Sequence, residues 1–212
     1  MIEEVGIIPG IRIGSQKHAV FAAESVYHAG IPIAEVTMTV PGAVDVIAHL
    51  ARAFPKMIVG GGTVLDAGTA QRCLEAGARF LTSTGLVTEV VEFARSSNVL
   101  YFPGVLTPTE VIAGWKAGSD FVKIFPCGQV GGHTYLRALK APFPQIALIA
   151  SGGVTQQTAF NFIVAGASAL GIGAELMPPE DLEVRREERI HELSKRFLAM
   201  VKAAREQLRG GF

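Results

Sequence analysis

The chain has 212 residues, a formal net charge of zero and a hydrophobic fraction of 49%. This combination excludes a disordered chain and fits one large domain. The balanced charge speaks against a nucleic-acid or membrane-surface binder, because no basic excess is available to displace counterions. Two cysteines are too few for a disulfide framework or a zinc site, and we expect buried, reduced thiols in a cytoplasmic protein.

Eight times along the chain, a short apolar stretch precedes a longer amphipathic one. The apolar stretches predict strands at 7–14, 33–39, 56–65, 79–84, 100–106, 120–127, 145–154 and 169–176. The amphipathic stretches predict helices at 16–29, 43–53, 67–76, 87–96, 108–117, 132–140, 156–165 and about 184–208. Eight such units predict a closed α/β barrel, the (β/α)8 TIM barrel, as one domain over residues 1–212. The alternative is an open doubly wound sheet, but no glycine-rich fingerprint follows the first strand.

Two segments show local features with a clear structural meaning. Thr107, Pro108 and Glu110 make a helix start, with a capping threonine, a proline in the first turn and an acid near the positive helix end. The last helix carries one apolar stripe among many charges. We expect that stripe to pack on the barrel or on a partner subunit.

Two predicted strands carry charged side chains on a face that a barrel would turn inward. Glu35 shares one face of the second strand with Thr37 and Thr39, and Lys123 stands between two phenylalanines of the sixth. Interior positions of a barrel are normally apolar, so such exceptions near the C-terminal strand ends indicate a site. Two bland alternatives remain open. The head of Lys123 could reach water along an apolar surface, and Glu35 could face outward if the facing assignment is off by one.

A third charge, Arg12, lies between Ile11 and Ile13 in the first predicted strand. Three ionisable groups at one barrel mouth are typical of a functional site. A desolvated amine has a lowered pKa and attacks a ketone to form a Schiff base, while a neighbouring carboxylate moves protons. These residue types favour carbonyl chemistry that requires neither a cofactor nor a metal.

Glycines follow the seventh and eighth strands, in the segments 151–153 and 171–173. In barrels, the loops at these two places bind phosphate through backbone N–H groups. Each glycine pair could also serve only as a turn, but two such loops on adjacent strands favour an anion site.

Six blocks of sequence resemble the 2-keto-3-deoxy-6-phosphogluconate aldolase family, which includes the 4-hydroxy-2-oxoglutarate aldolases. They are AGIPIAEVTMTVPGA (29–43), VGGGTVLDA (59–67), FPGVLTPTEV (102–111), DFVKIFPCGQVGG (120–132), APFPQIALIASGGV (141–154) and ALGIGAEL (169–176). The resemblance runs from about residue 5 to residue 177, and the K-x-F-P block after E-x-T-x-T is its most telling part. It implies a homotrimeric class I aldolase on a (β/α)8 barrel, with a covalent Schiff base and no other cofactor.

The resemblance also implies roles for single residues. Lys123 matches the Schiff-base lysine, and Glu35 matches the general acid and base. Thr63 matches the residue that contacts the pyruvate carboxylate, Phe125 the aromatic neighbour of the lysine, and Arg12 a strand-one arginine of many members. The residues that match the two phosphate loops are Gly152, Gly153, Gly173 and Ala174. Further substrate-binding candidates are Thr37, Thr39 and Ser83.

Three positions depart from the family pattern. Thr39 stands where some members have arginine, which leaves the arginine of the first strand to bind the substrate carboxylate. The usual Ser-Pro after the fourth strand is Ser83-Thr84. Ala174 replaces the phosphate-loop serine and Glu175 follows it. A lost hydroxyl donor and an added negative charge both disfavour phosphate.

We therefore expect reversible cleavage of a small-molecule 2-keto-4-hydroxy acid to pyruvate and an aldehyde. The resemblance puts 2-keto-3-deoxy-6-phosphogluconate, an Entner–Doudoroff intermediate that yields glyceraldehyde 3-phosphate, slightly ahead of 4-hydroxy-2-oxoglutarate, which yields glyoxylate. One alternative is a non-catalytic barrel that holds a sugar acid, with Lys123 as a plain cation. Another is a phosphate-binding barrel isomerase or synthase. No nucleic acid and no membrane is expected as a partner.

Overall fold

The computed structural model describes residues 1–210. Its strands are β1 (Ile7–Ile11), β2 (Ile33–Thr37), β3 (Ile58–Gly62), β4 (Phe80–Thr82), β5 (Leu100–Phe102), β6 (Gly104–Val105), β7 (Val122–Ile124), β8 (Leu148–Ser151) and β9 (Ala167–Ile172). Its α-helices are α1 (Ile2–Val5), α2 (Gln16–His28), α3 (Ala43–Ala53), α4 (Ala67–Glu75), α5 (Thr88–Ser96), α6 (Pro108–Lys116), α7 (Gly132–Lys140), α8 (Ala159–Val164), α9 (Pro179–Glu183) and α10 (Glu187–Gly210).

The strands form one parallel sheet in the order β5-β4-β3-β2-β1-β9-β8-β7-β6. Its two ends, β5 and β6, are halves of the fifth predicted strand, which is interrupted at Pro103. Proline has no N–H to donate to a ladder, whereas the Pro103 carbonyl accepts the N–H of Lys123 at 2.9 Å. One half pairs with β4 and the other with β7, so the chain itself joins the two ends of the sheet. The predicted (β/α)8 barrel is confirmed.

Two boundaries near the C-terminal end differ from the sequence prediction. β9 ends at Ile172, and the segment 173–177 is a turn in which the amides of Leu176 and Met177 donate to the carbonyl of Gly173. The final helix begins at Glu187 instead of 184, after the separate short helix α9. Arg185, between the two helices, has a φ of +51°, which a continuous helix does not allow.

One level of the barrel interior is filled by apolar side chains. They are Ile2, Ile8, Ile33, Phe80, Phe102, Ile149 and Ala169. The rings of Phe80 and Phe102 stack at 5.4 Å, and Phe121 packs edge-on against Phe102 at 5.2 Å. Because strand side chains alternate, the residues two positions after Ile33 and Phe121 lie one level further toward the C-terminal strand ends. The apolar level therefore forms the base on which the charged residues of the site stand.

The apolar stripe of the last helix packs as predicted. α10 lies against α2 and α8 on the outside of the barrel. The buried members of the stripe are Ile190, Leu193, Phe197, Val201 and Ala204. Leu208, at the end of the predicted stripe, is exposed. Within residues 1–210, no helix has the length and apolar character needed to cross a membrane.

Candidate active site

A cavity of about 710 Å³ opens at the C-terminal ends of the barrel strands. This is the end at which barrel enzymes carry their sites, because the loops after the strands converge there. The charged and titratable side chains in its lining are Arg12, His18, Glu35, Lys123, Glu175 and Glu183. The sequence prediction that three ionisable groups of the first, second and sixth strands meet at one barrel mouth is confirmed.

Lys123 and Glu35 form a buried pair at the base of this cavity. Nζ of Lys123 lies 3.3 Å from Oε1 of Glu35, and the two side chains are 8% and 7% exposed. A buried charge without a partner costs several kcal/mol, and each of these groups is the partner of the other. The alternatives in which the lysine head reaches bulk water or the glutamate faces outward are therefore wrong.

A glycine of β3 leaves the room that the Glu35 carboxylate occupies. Glu35 of β2 is paired with Gly10 of β1, and a Cβ atom on Gly62 would overlap the Glu35 carboxylate. Lys123 of β7 is paired with Gly104 of β6. The sequence predicted these strands, but it did not show that Gly62 leaves space on the inner face for the carboxylate.

The hydroxyl of Thr82 is a second partner of the amine. Nζ of Lys123 donates to Oγ1 of Thr82 at 3.3 Å, and Thr82 is 1% exposed. Sequence analysis missed this residue, although its position two after Phe80 in the fourth strand places it on the inner face. The ring of Phe125 lies on another side, with its centroid 5.8 Å from Nζ, which is within cation–π distance.

Beside the Lys123–Glu35 pair, hydrogen bonds among polar side chains connect the C-terminal ends of β1, β2 and β3. The guanidinium of Arg12 donates to Oγ1 of Thr63 at 3.3 Å. Thr63 has a φ of +58°, a rare conformation for a β-branched residue and one that is typical of functional sites. Thr37 donates to the carbonyl of Ile11 at 3.0 Å, and its Oγ1 lies 2.7 Å from that of Thr39. Arg12 and Thr37 line the cavity, whereas Thr39 and Thr63 contact them from behind.

Ser83, the remaining substrate-binding candidate, is not brought to the cavity. Its hydroxyl donates to the carbonyl of Val64 at 2.5 Å and accepts the hydroxyl proton of Tyr101 at 2.8 Å. Burial raises the pKa of Tyr101, so that phenol stays a donor. These bonds hold the loop after β3 to β5.

The two glycine loops form the wall above the pair. Gly152 and Gly153 follow β8 with φ values of +79° and +88° and line the cavity together with Gly173 and Ala174. A Cβ atom on Gly152 would lie 3.1 Å from the ring of Phe125, so glycine is required there. The structure thus brings all four predicted loop residues to one wall.

Three further charged or titratable residues reach the cavity. Glu175, directly after Ala174, lines it, as do His18 from the first turn of α2 and Glu183 from the end of α9. The sequence signal for His18 was its place just after the first strand, where barrel sites are built. No comparable signal marked Glu183. The sequence predicted one final helix from about residue 184 and did not predict the separate helix α9, at whose end Glu183 lies.

The thiols take no part in the site. Cys73 and Cys127 are buried and free, and burial raises the pKa of each to about 11. They are therefore protonated and unreactive near neutral pH. Among residues 1–210, no three side chains of the types His, Cys, Asp or Glu are grouped closely enough to hold a metal ion.

A (β/α)8 barrel with a buried lysine beside a carboxylate at its C-terminal mouth has the architecture of a class I aldolase. The family model for KDPG and KHG aldolases matches residues 1–193, and the chain belongs to this family. KDPG denotes 2-keto-3-deoxy-6-phosphogluconate, and KHG denotes 4-hydroxy-2-oxoglutarate. The family predicted from the six sequence blocks is confirmed.

Individual curated relatives match this chain over most of their own length. The chain is 33% identical to the KHG/KDPG aldolase of Escherichia coli K12 over 89% of both chains. It is 30% identical to the 2-dehydro-3-deoxy-phosphogluconate aldolase of Pseudoalteromonas atlantica, over 91% of this chain and 90% of the relative.

Solved structures extend the comparison to the fold. A KDPG aldolase of Legionella pneumophila, crystallised with pyruvate as a covalent carbinolamine, has a TM-score of 0.83 at 29% identity and covers 90% of this chain and 92% of its own. A 3-hexulose-6-phosphate synthase has a TM-score of 0.75 at 17% identity, with 92% of this chain and 99% of that chain covered, which shows a common fold alone.

Proposed function

We propose that the protein is a class I aldolase that reversibly cleaves a 2-keto-4-hydroxy acid to pyruvate and an aldehyde. The observation that carries this proposal is the amine of Lys123, buried at the cavity base with Glu35 and Thr82 each at 3.3 Å. The relatives' names supply two substrates. KDPG would give pyruvate and glyceraldehyde 3-phosphate, and KHG would give pyruvate and glyoxylate.

The first half of the reaction builds an electron sink on Lys123. The neutral amine attacks the C2 carbonyl of the keto acid, and proton transfers give a carbinolamine. Loss of its hydroxyl as water forms the iminium. Glu35 is within reach to take the amine proton and to deliver a proton to the departing hydroxyl. The carbinolamine captured in the Legionella enzyme supports this step for a relative of the chain.

The second half breaks the bond between C3 and C4. The carboxylate of Glu35 accepts the proton of the C4 hydroxyl, C4 becomes the aldehyde carbonyl, and the electron pair of the broken bond moves through C3 into the iminium. The resulting enamine takes a proton at C3, and water releases pyruvate and the free amine. The proton taken from the C4 hydroxyl ends on C3 of pyruvate and Glu35 is again a carboxylate, so the lysine and the carboxylate are sufficient for the cycle.

The substrate carboxylate needs a cation that does not take part in bond breaking. Arg12 lies at the cavity lining beside Thr63 and presents the guanidinium donors that suit a carboxylate. We assign the pyruvate carboxylate to the guanidinium of Arg12, which the hydroxyl of Thr63 helps to position. Phe125 would cover the imine from one side.

The sequence analysis named two alternatives to an aldolase. A non-catalytic barrel would hold a sugar acid with Lys123 as a plain cation, and an isomerase or synthase would use only the phosphate loops. Both would leave the amine free. Incubation with pyruvate followed by borohydride reduction and mass measurement separates them from the aldolase, which alone gives a lysine adduct.

The subunit arrangement is part of the proposal. We propose a homotrimer, as in the family resemblance, and exposed apolar side chains on the barrel surface support subunit contact. They include Leu65, Leu86, Ile112 and Trp115. Sedimentation equilibrium should give three times the chain mass, whereas a monomer mass would contradict the arrangement.

Three further expectations stay predictions. Activity without a metal or cofactor predicts full turnover after dialysis against a chelator, and a loss that added metal restores would contradict it. The cytoplasmic location predicts recovery in the soluble cytosolic fraction. A place in the Entner–Doudoroff route predicts that deletion of the gene raises the intracellular level of 2-keto-3-deoxygluconate, either free or as its 6-phosphate.

A further inference from the structure

The aldehyde half of the substrate would lie against the wall above the lysine. This wall consists of the loops 152–154 and 173–175 and the end of α9. The charge on the wall decides which aldehydes fit, because a cavity with low-dielectric sides strengthens every charge contact.

The cations of the cavity are committed to the other half of the substrate. Among the described residues, its lining holds Arg12, Lys123 and His18 as possible positive groups. In the proposed reaction Lys123 becomes the imine and Arg12 holds the pyruvate carboxylate. Only His18, in the first turn of α2, is left for a second anion.

The two arginines between α9 and α10 do not supply a further cation to the cavity. The guanidinium of Arg185 lies 5.2 Å from the ring centroid of Phe21, and that of Arg186 donates to Asp181 at 2.8 Å. Neither arginine lines the cavity. Among residues 1–210, the cavity lining therefore holds no cationic side chain beyond Arg12, Lys123 and His18.

The lining also contains two carboxylates besides Glu35. Glu175 and Glu183 both line the cavity, and neither takes part in an ion pair within the described part of the chain. The residue between the loop glycine and Glu175 is Ala174, which has no side-chain donor for an anion. A phosphate or carboxylate here would face like charges, with backbone N–H groups and the hydroxyls of Ser151 and Thr155 as the neutral donors of the lining.

We propose that the preferred aldehyde half is an uncharged hydroxyaldehyde, and that Glu175 and Glu183 select it against aldehydes that carry phosphate or carboxylate. Hydroxyl groups donate hydrogen bonds to carboxylates, so the same two side chains that repel an anion bind a polyol end. The preferred keto acid is then a 2-keto-3-deoxy sugar acid without its phosphate. This inference rests on the proposed function, since it takes the pyruvate imine on Lys123 as given.

The test compares one uncharged acceptor with a phosphorylated and a carboxylated one. Aldol addition of pyruvate is measured with D-glyceraldehyde, D-glyceraldehyde 3-phosphate and glyoxylate, for the wild type, the variant with Glu175→Gln and Glu183→Gln, and a control with Glu92→Gln. Glu92 is an exposed glutamate of α5 outside the cavity. We expect the wild type to prefer glyceraldehyde over its 3-phosphate in kcat/KM by about tenfold or more, the effect of one unfavourable charge contact. The double variant should shift the ratio toward the phosphate by about tenfold, and the control should not.

Borohydride trapping of pyruvate in the same samples separates the two proposals. If the wild type forms no adduct, the proposed function fails. If the adduct forms but the phosphorylated or carboxylated acceptor is preferred, or the ratio ignores both glutamines, this inference is overturned and the aldolase stands. Because Glu175 and Glu183 are exposed, each single glutamine variant should fold, and either one gives the same readout if the double variant does not.

Discussion

The amine of Lys123 lies 3.3 Å from a carboxylate oxygen of Glu35, although 88 positions separate the two residues in the chain. The barrel brings them together because both lie on the inner face, one level above a base of isoleucine and phenylalanine side chains. This contact gives each group its partner in the apoprotein. It also places the proton acceptor where the proposed cleavage needs it.

Substitution of this carboxylate should separate binding from turnover. The variant Glu35→Gln keeps the size of the side chain and an oxygen acceptor for the amine but cannot take a proton. We expect it to form a borohydride-reducible pyruvate adduct, with kcat lowered by roughly 100- to 10,000-fold, the range of general acid–base catalysis. Wild-type turnover in this variant would remove Glu35 from the mechanism.

The Thr82 hydroxyl should act as a positioning group for the amine. Thr82→Val keeps the shape of the side chain and removes the acceptor that Nζ contacts at 3.3 Å. We expect slower imine formation with pyruvate, by up to about tenfold for one hydrogen bond, with KM for pyruvate little changed. Thr82→Ser should restore the rate. Equal rates in the valine variant and the wild type, measured by stopped-flow trapping, would limit Thr82 to packing.

The space beside the carboxylate should be as important as the carboxylate itself. In Gly62→Ala the new Cβ atom would overlap the Glu35 carboxylate and displace it from the amine. We expect a loss in kcat comparable to that of the glutamine variant, because a misplaced base is ineffective. Gly85→Ala is the matched control, since its Cβ would meet no atom within 4 Å. If both alanine variants retain full activity, the space at Gly62 is not required.

Acid should weaken the start of α6. Glu110 accepts the N–H groups of Leu106 and Thr107 at 2.8 Å, and the bonds to these backbone groups lower its pKa below the usual 4.5. A lowered folded-state pKa gives stability that is present above pH 4.5 and is lost as the pH falls through the folded value. The difference in unfolding free energy between the wild type and Glu110→Gln should be about 1 kcal/mol near pH 7 and smaller near pH 3. Urea titrations at both pH values measure it, and an unchanged difference would show that the charge is not the cause.

The fold was predictable because hydrophobic patterning is repeated eight times and because capping residues such as Thr107 mark the helix starts. The interruption of the fifth strand at Pro103 was harder to predict, because the apolar pattern of that strand continues across the proline. The separate helix α9 was missed for a related reason. Its charged residues continue the composition of α10, and the positive φ of Arg185 that divides the two helices is a property of the folded backbone.

The candidate site was predictable where a charge interrupts an apolar strand, as at Glu35 and Lys123. It was not predictable where the contribution is a hydroxyl or an empty space. Thr82 is one of many threonines in strands, and its role depends on a neighbour 41 positions away. Ser83 shows the reverse case, in which a motif position carries a hydroxyl that the barrel directs to Val64 and Tyr101.

Covalent capture of pyruvate tests the aldolase proposal most directly. After incubation with pyruvate and borohydride, the protein should gain the mass of one pyruvic acid less one oxygen, and peptide mapping should place this gain on Lys123. Lys123→Arg, which retains a cation, should gain nothing. An unmodified wild-type protein, or an adduct that persists in the arginine variant, would contradict the assignment of Lys123 as the Schiff-base residue.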